Sequence, residues 1–464
     1  MDDTSPSYLS RYNEFTLLGS PRPLDYHAAH LYTLEKVVYT INSKLGGADV
    51  EIKRDRYLNK LIRKEKNGLI KVVTGIRRCG KSYLLFNLFS KYLMNKGVRE
   101  DHIIKAALDN IKYRDLREPK AMYDYAASRI KDDDTYYIIL DEVQMLDDFV
   151  EVLNGLTQLG NTDVYVTGSN SKFLSTDVVT EFRGRGDDMH LLPLSFGEFL
   201  TAYENDLITA WDDYFNYGGL PLVVTRTLPE DKEEYLISLY KELYLTDIIE
   251  RHKIRNVAEF NELIDILASS VGSLTNPQKL SKTFMSVKQK KISDVTITKY
   301  LGYLEDSFLV SKASRYDIKG KKYIGSPAKY YFEDIGLRNA RLNFRQTEEN
   351  HIMENIIYNE LRYRDFRVDV GVVDTFGKDA AGKTVKKSYE IDFVATKGNL
   401  KYYIQSAFSM DSPEKREQEE RPLRNIPDSF TKFIIVRDDK RPKHDEMGFV
   451  TVGIRQFLTD PDIL

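Results

Sequence analysis

The chain has 464 residues, 42% of them hydrophobic and 30% charged, with a formal net charge of −3. That length suggests about three domains, and so small a charge excludes a globally basic nucleic-acid binder, leaving only local basic surfaces to consider. The single cysteine, Cys79, excludes an internal disulfide or an intrachain cysteine metal cluster, and the absence of a basic-then-apolar leader or of an apolar run near ~18 residues predicts a cytoplasmic protein with no membrane partner.

Residues 1–50 read as an N-terminal extension: "GSPRPLDYH" as loop, "AAHLYTLEKVVYTINSKL" as a helix, with no evident chemistry. "YLNKLIRKEKNG" (57–68) predicts a short amphipathic helix stopped at Gly68. Next, "LIKVVTG" reads as a buried strand and "KSYLLFNLFSKYLMNKG" as a helix with one apolar face. "DTYYIILDEVQML" (134–146) and "TDVYVTGSN" (162–170) supply two more buried strands. Strands alternating with helices predict an α/β fold with a mostly parallel sheet covered on both faces. Residues 201–255 read as helical, broken at "YGGLP". From 256 to 345 come short helices and a hairpin, "KASRYDIKGKKYIGSPAKYYFED". Residues 346–464 read as a second α/β module: one helix, "ENHIMENIIYNELRYR", then the strands "RVDVGVVDTF", "KSYEIDFVAT", "LKYYIQSAF" and "TKFIIVRD".

Between the first strand and its helix lies Gly75-Ile76-Arg77-Arg78-Cys79-Gly80-Lys81-Ser82, which has the spacing of a P-loop. Glycines let such a loop curl so that backbone N–H groups face phosphate oxygens, and the following helix adds its positive end. Lys81 is then placed for the β- and γ-phosphates and Ser82 for Mg²⁺, with Tyr83 next in line. Arg77 and Arg78 are expected to meet phosphate or a carboxylate. Cys79 reads as a small filler whose oxidation would block nucleotide. "YYIILDE" ends a strand in two acids: Asp141 to hold Mg²⁺ through water, and Glu142 to polarise an attacking water. Thr167, with Ser169 and Asn170 nearby, is a candidate γ-phosphate sensor or simply turn chemistry. Arg183 and Arg185, in "FRGRG", are candidates to stabilise transition-state charge, which across a subunit boundary would require a homo-oligomer. No Asn-Lys-x-Asp stretch is present, which favours ATP over GTP.

Taken together, "GIRRCGKS", "IILDEVQ", "VTGSNSKFLS", "FRGRG", "LPLSFGEF" and "YGGLP" resemble, in order, the motifs of bacterial and archaeal AAA+ ATPases that carry a C-terminal domain of unknown function. The resemblance runs from about residue 51 to the C-terminus. It implies a P-loop core (51–200), a helical lid (201–255), a winged helix-turn-helix (256–345) and a restriction-endonuclease-like domain (346–464). It also implies ATP with Mg²⁺, and the roles given above for Lys81, Ser82, Asp141 and Glu142.

"SDVTITKYLGYLEDSFLV" (293–310) looks like the recognition helix of the winged helix, and the lysine-rich hairpin like its wing. From Lys279 to Lys322 there are eleven basic residues against four acidic ones. Lys288, Lys290, Lys291, Lys299, Lys319, Lys321 and Lys322 are candidate duplex-DNA contacts; a solvated face or a protein-docking module is the alternative. The last module resembles PD-(D/E)XK nucleases, whose metal-binding positions fall here on Glu354, Asp392 and Gln405. The supporting lysine position is Ala407, which can neither hold a water nor stabilise charge. The expectation is therefore a pseudo-nuclease, unless Lys401 or another basic residue substitutes. Three functions follow: an ATP-hydrolysing switch or remodeller acting on DNA or a protein, an ATP-regulated metal-dependent DNA nuclease, or a non-hydrolysing nucleotide-gated DNA-binding regulator.

Overall fold

A computed structural model describes residues 51–169, 186–203, 206–289, 291–345, 348–378 and 382–464. Ile52–Leu464 form one compact unit, and the expected N-terminal extension lies outside the described residues. Asn170, Arg183, Arg185, Lys290 and the side chain of Lys288 also lie outside them.

The first sheet is built from β1 (Ile70–Thr74), β2 (Ile103–Ala107), β3 (Tyr136–Asp141), β4 (Thr162–Gly168) and β5 (Gly186–His190), in the order β2-β3-β4-β1-β5. Every pairing is parallel. β1 and β3 are buried along their whole length, as strands covered on both faces must be. Helix α1 (Asp55–Lys64) precedes β1 and matches the amphipathic helix read from the sequence. After the P-loop, α2 starts at Lys81–Tyr83, passes through a π-helical turn over Leu84–Phe89 and resumes over Ser90–Asn95. On the other side of the sheet, α3 (Pro119–Ala127) packs with α4 (Phe149–Thr157). The strands β2 and β5 are absent from the sequence reading. β5, "GDDMH", has too little apolar character to announce itself and is held by β1, with Ile70 opposite Gly186 and Thr74 opposite His190.

A helical segment follows: α5 (Phe196–Leu200), α6 (Leu207–Tyr217), α7 (Pro221–Val224) and α8 (Pro229–Ser238), which runs through a π-helical stretch, Leu239–Leu245, into α9 (Thr246–Arg251). Ser195 and Glu198 form a capping box at the start of α5. Then come α10 (Val257–Ser269), α11 (Pro277–Lys288) and α12 (Asp294–Asp306).

The second sheet has eight strands in the order β12-β13-β11-β10-β9-β8-β6-β7. These are β6 (Val310–Asp317), β7 (Lys322–Phe332), β8 (Arg367–Lys378), β9 (Thr384–Lys397), β10 (Leu400–Ala407), β11 (Lys432–Val436), β12 (Lys443–His444) and β13 (Val450–Gly453). α13 (Ile335–Arg341) and α14 (Glu349–Tyr363) link the hairpin to β8, while α15 (Pro413–Arg424) and α16 (Ile454–Thr459) pack later in the chain.

This sheet adds a pairing to the expected hairpin. The lysine-rich hairpin β6–β7 forms after α12 as read from the sequence. β6 pairs in parallel with β8, so the hairpin and the terminal module share one sheet. A strand edge carries unpaired N–H and C=O groups, and β8 covers the outer edge of β6 over Arg315–Asp317. The "recognition" helix α12 buries Ile297, Tyr300, Leu301 and Leu304 and carries one lysine, Lys299, against Asp294, Glu305 and Asp306. Its own charge is therefore acidic.

Glu333, just after β7, ties the two sheets together. The His190 Nε2 atom lies 3.0 Å from both of its carboxylate oxygens. Ser311 Oγ donates to it at 3.0 Å, and so does Arg362 Nη1 at 3.0 Å. Burial alone would push this carboxyl up, but His190 and Arg362 hold it down at about 2. Its depressed value stabilises the fold above the ordinary glutamate range, and that contribution disappears as pH falls from about 4.5 through 2. At ~1.4 kcal/mol per pKa unit this is on the order of 3 kcal/mol. Glu333→Gln is therefore expected to lower the thermal midpoint clearly at pH 7, with the deficit shrinking below pH 4; calorimetry across that range checks it.

Candidate functional site

The carboxyl ends of β1, β3 and β4 bring the P-loop and the acidic pair together. Gly75 has φ +146°, and a Cβ there would lie 2.2 Å from the Leu191 carbonyl oxygen, so only glycine fits. Gly80, at φ +101°, starts α2 from a left-handed conformation. Lys81 is buried, and its Nζ donates to the Gly75 and Ile76 carbonyl oxygens, both at 3.0 Å. The ammonium thus sits in the curl of the loop, held by the carbonyls of the segment it would serve. Ile76 is buried, Tyr83 half-buried and Arg78 exposed.

Ser82 Oγ donates to Asp141 Oδ2 at 2.7 Å, and Thr167 Oγ1 donates to Asp141 Oδ1. The Glu142 amide donates to Thr167 Oγ1 at 2.9 Å. Burial, then the charge of Glu142, pushes the Asp141 carboxyl up to about 6 against the pull of its two hydroxyl donors. A buried carboxylate facing a hydroxyl, in a site that raises its pKa, is a site that favours a cation. The donor set of Ser82 and Asp141 fits Mg²⁺, which takes few protein oxygens and keeps several waters.

Glu142 adopts φ 51°, ψ 49°, a left-handed conformation uncommon for a residue with a Cβ. Ser169 Oγ donates to its Oε2 at 2.9 Å, and Gln144 Nε2 donates to the same oxygen. Thr167 and Ser169 therefore both join the acidic pair. Gln144, two residues beyond Glu142 in the turn Val143–Met145, was missed by the sequence reading because a turn glutamine gives no periodic signal.

The helical segment closes over the loop. Arg77 Nη2 pairs with Asp247 Oδ1 of α9 at 2.8 Å, and the Tyr244 hydroxyl donates to the Arg77 carbonyl oxygen. Arg77 therefore meets a carboxylate partner. Cys79 is fully buried, and that burial pushes its thiol up; the expected oxidation switch loses both access and thiolate.

The acidic centre expected in the terminal module is present but differs from the expectation. Glu354 on α14 and Asp392 on β9 come together around Lys329 of β7. Its Nζ lies 2.8 Å from Glu354 Oε1, 2.9 Å from Glu390 Oε1 and 3.2 Å from Asp392 Oδ1. The ammonium occupies the point where the carboxylates converge. Burial alone would favour the neutral amine, but the three acids hold Lys329 charged, well above the ordinary lysine range. Burial pushes Glu354 up to about 7 in spite of Lys329. One ammonium among three carboxylates leaves an excess of negative charge, and a proton on Glu354 relieves it. Gln405 lies on β10 beside Asp392: the neighbouring Ile404 pairs with Phe393 and the Ser406 amide donates to Asp392 Oδ2 at 2.9 Å. No hydrogen bond joins Gln405 to Lys329 among the described residues; its Oε1 is buried without a hydrogen-bond partner, and Glu419 of α15 hydrogen-bonds its side chain. Lys401 is not the substitute lysine, because its Nζ faces Asp428 at 3.5 Å. Lys329 escaped the sequence reading because it lies on the hairpin taken for a wing.

Among the other candidate contacts, Lys291, Lys299, Lys321 and Lys322 are exposed, and Lys319 Nζ donates to the Asp374 carbonyl oxygen at 2.9 Å.

An uncharacterised protein of Haemophilus influenzae is 33% identical over 390 residues, covering 83% of this chain and 93% of the relative. The chain belongs to that protein's family. A second relative, the uncharacterised protein MJ1544 of Methanocaldococcus jannaschii, is 28% identical over 365 residues, 75% of this chain and 77% of its own. Within the family chain, residues 67–200 match an AAA domain, and residues 208–348 match a domain of unknown function, DUF8612. The AAA domain contains the P-loop, the acidic pair, Gln144, Thr167 and Ser169. Among solved structures, Aeropyrum pernix ORC1 in complex with DNA covers 69% of this chain and 93% of its own, at 13% identity and a TM-score of 0.30. AMPPCP-bound DnaA from Aquifex aeolicus covers 54% and 86%, at 13% identity and a TM-score of 0.29. Among the described residues, no helix is long and apolar enough to cross a membrane.

Two outcomes test this geometry. Asp141→Asn should raise the thermal midpoint of the nucleotide-free protein at pH 8 by removing a charge whose burial costs on the order of 1–3 kcal/mol. The raised carboxyl destabilises the fold only as pH rises through about 4 to 6, so the gain should vanish near pH 4. Lys329→Met should destabilise the protein by about 3 kcal/mol or more, because it strands three carboxylates. That loss should be smaller at pH 6 than at pH 8, since protons can replace the ammonium, and thermal unfolding at the two pH values reads it.

Proposed function

We propose that this protein is a Mg²⁺-dependent ATPase that works as a nucleotide-driven switch, with the C-terminal sheet as its partner-binding part. The observation that carries the reading is the single hydrogen-bonded constellation of Ser82, Asp141, Thr167 and Glu142 at the mouth of the P-loop. Mg²⁺, held by Ser82 and Asp141, would neutralise developing charge on the phosphates. Lys81 exchanges its loop carbonyls for phosphate oxygens. Glu142 accepts a proton from, and orients, the attacking water, while Thr167 fixes the acidic pair and Ser169 with Gln144 sets where the Glu142 carboxylate points. Arg183 and Arg185 remain the candidates for charge stabilisation, within one subunit or across a homo-oligomer. The core 51–200, lid 201–255 and terminal parts 256–464 are the proposed division of labour.

The Glu333 network supports the switch half of this reading. Thr74, the residue before Gly75, has its Oγ1 3.2 Å from His190 Nδ1, and His190 meets Glu333, which meets β6 and α14. Movement at the P-loop strand is thereby passed to the second sheet through buried polar contacts. The nuclease reading is disfavoured by Lys329, whose ammonium takes the place a metal would need.

Steady-state ATP hydrolysis decides the matter. Wild-type turnover in Mg²⁺ should fall at least 100-fold in Lys81→Ala and in Glu142→Gln, with ATP binding kept in the latter. Tight ATP binding without wild-type turnover would instead make it a non-hydrolysing regulator, and Mg²⁺-dependent nicking of DNA lost in Asp392→Ala would restore the nuclease.

A further inference from the structure

At one side of the second sheet the β6–β7 turn lies beside β8, whose described part runs on past it. β6 and β8 are parallel neighbours, with Arg315 opposite Val370 and Asp317 opposite Val372. The β6–β7 turn and the carboxyl end of β8 therefore lie at the same end. That turn touches β8: the Ile318 amide donates to the Val372 carbonyl oxygen at 3.0 Å, and Lys319 Nζ to that of Asp374 at 2.9 Å. β8 continues four residues past Asp374 to Lys378, still paired with β9 through Lys378 opposite Thr384. At about 3.3 Å per residue, the β8–β9 ribbon reaches roughly 13 Å beyond its neighbour's turn.

The two stretches share a composition. Residues 315–323 and 374–388 hold eight basic residues against three acidic ones. Asp317 turns its carboxylate inward onto the Gly320 amide at 2.8 Å, and Asp374 is paired with Lys386 at 2.7 Å. Lys321, Lys322 and Lys378 have no carboxylate partner among the described residues. Two aromatic side chains stand in solvent beside them: Phe376 is 71% exposed and Tyr323 65%. Phe376 lies directly opposite Lys386 across the ribbon. All of 382–388 is exposed.

A two-stranded ribbon of this kind has the width that enters the major groove of duplex DNA, about 12 Å across. Its lysines match the phosphate rails in charge, while exposed aromatics can contact base edges and thymine methyls. The alternative reader, α12, is acidic on its own account. We propose that the β8–β9 ribbon and the β6–β7 turn form a surface for double-stranded DNA, the ribbon in the major groove and Lys319, Lys321 and Lys322 on the flanking phosphates. This deepens the partner half of the proposed function and rests on that reading for its purpose, but the binding needs no nucleotide.

The test is fluorescence anisotropy of a labelled duplex with the full chain, without nucleotide, over a salt series. Wild-type affinity should fall steeply with salt. Lys321→Glu with Lys322→Glu, and separately Lys378→Glu with Lys387→Glu, should each weaken binding at least tenfold and flatten the log–log salt slope by about 2. Phe376→Ser should weaken it without changing the slope, and Lys291→Glu with Lys299→Glu should leave it unchanged. Thermal midpoints within a degree or so of wild type confirm that the surface variants fold. No binding by the wild type at about 50 mM salt, reversal variants that bind like wild type, or a loss confined to the Lys291 and Lys299 pair overturns the proposal. So does equal affinity for single-stranded DNA, or capture by anionic phospholipid vesicles in place of duplex. Lys81→Ala, run beside these, keeps the two ideas apart: lost turnover with intact DNA binding supports the surface whatever becomes of the switch.

Discussion

One buried carboxylate joins the first sheet to the rest of the molecule. Glu333 follows the last residue of β7, yet its partners come from β5, β6 and α14. Taking a carboxylate out of water costs several kcal/mol unless the charge is matched and its lone pairs are filled. Here a guanidinium, an imidazole and a hydroxyl fill them, and the carboxyl's depressed pKa records that the matching more than offsets the burial. Neighbouring contacts repeat the pattern at the same seam. Asp334 accepts from the Gly219 amide at 2.8 Å and from the Leu337 amide at 3.0 Å. This is why the "YGGLP" break must have glycine: a Cβ on Gly218 would come within 2.5 Å of the Asp334 carboxylate. The glycines read from the sequence as a helix break are thus also the points where the lid and the second sheet meet.

That seam explains what could and could not be read from the sequence. Features with local causes were legible. The P-loop announces itself because its glycines, lysine and strand–helix context are contiguous, and β1, β3 and β4 because their buried stretches are mostly apolar. The hairpin β6–β7 was legible as a hairpin. Its place in the sheet was not, because pairing with β8 is settled by residues more than fifty positions away. The same limit hid Lys329. A lysine on a hairpin reads as solvated; only the sheet order brings it against Glu354 and Asp392. β5 failed for another reason: it has little apolar pattern of its own, and Lys64 and Asn67, on and after α1, hold its Asp187. Gln144 failed because the function of a turn residue depends on what lies across the turn.

The two acidic centres of the chain answer the same electrostatic problem in opposite ways. In each, carboxylates are buried close together, and each raises the pKa of one of its acids. At Glu354 and Asp392 the countercharge is covalently supplied by Lys329 and is always present. At Asp141 and Glu142 no ammonium among the described residues pairs with the carboxylates; Lys81 is engaged with the Gly75 and Ile76 carbonyls. In the first centre the Lys329 ammonium already sits where the carboxylates converge. The second has an excess of negative charge that a bound cation relieves. The chain therefore spends stability where a ligand can return it, and not where a lysine already has.

The position of Lys81 bears on how a nucleotide would be felt. Two carbonyls of the loop hold the ammonium, and the same loop carries Arg77, paired with Asp247 on α9. A phosphate entering the loop competes for Lys81 and adds negative charge beside Arg77. The second effect would weaken the contact that fastens the lid to the loop, since the guanidinium of Arg77, half-exposed, can turn from Asp247 to the phosphate at little cost. Thr74, on the strand feeding the loop, is in contact with His190 and through it with Glu333. Within the proposed function, nucleotide binding thus acts at two points at once: on the lid through Arg77, and on the second sheet through the buried polar chain. A rigid seam is what makes the second route effective, because a displacement in a packed, fully paired network cannot be absorbed locally and is handed on.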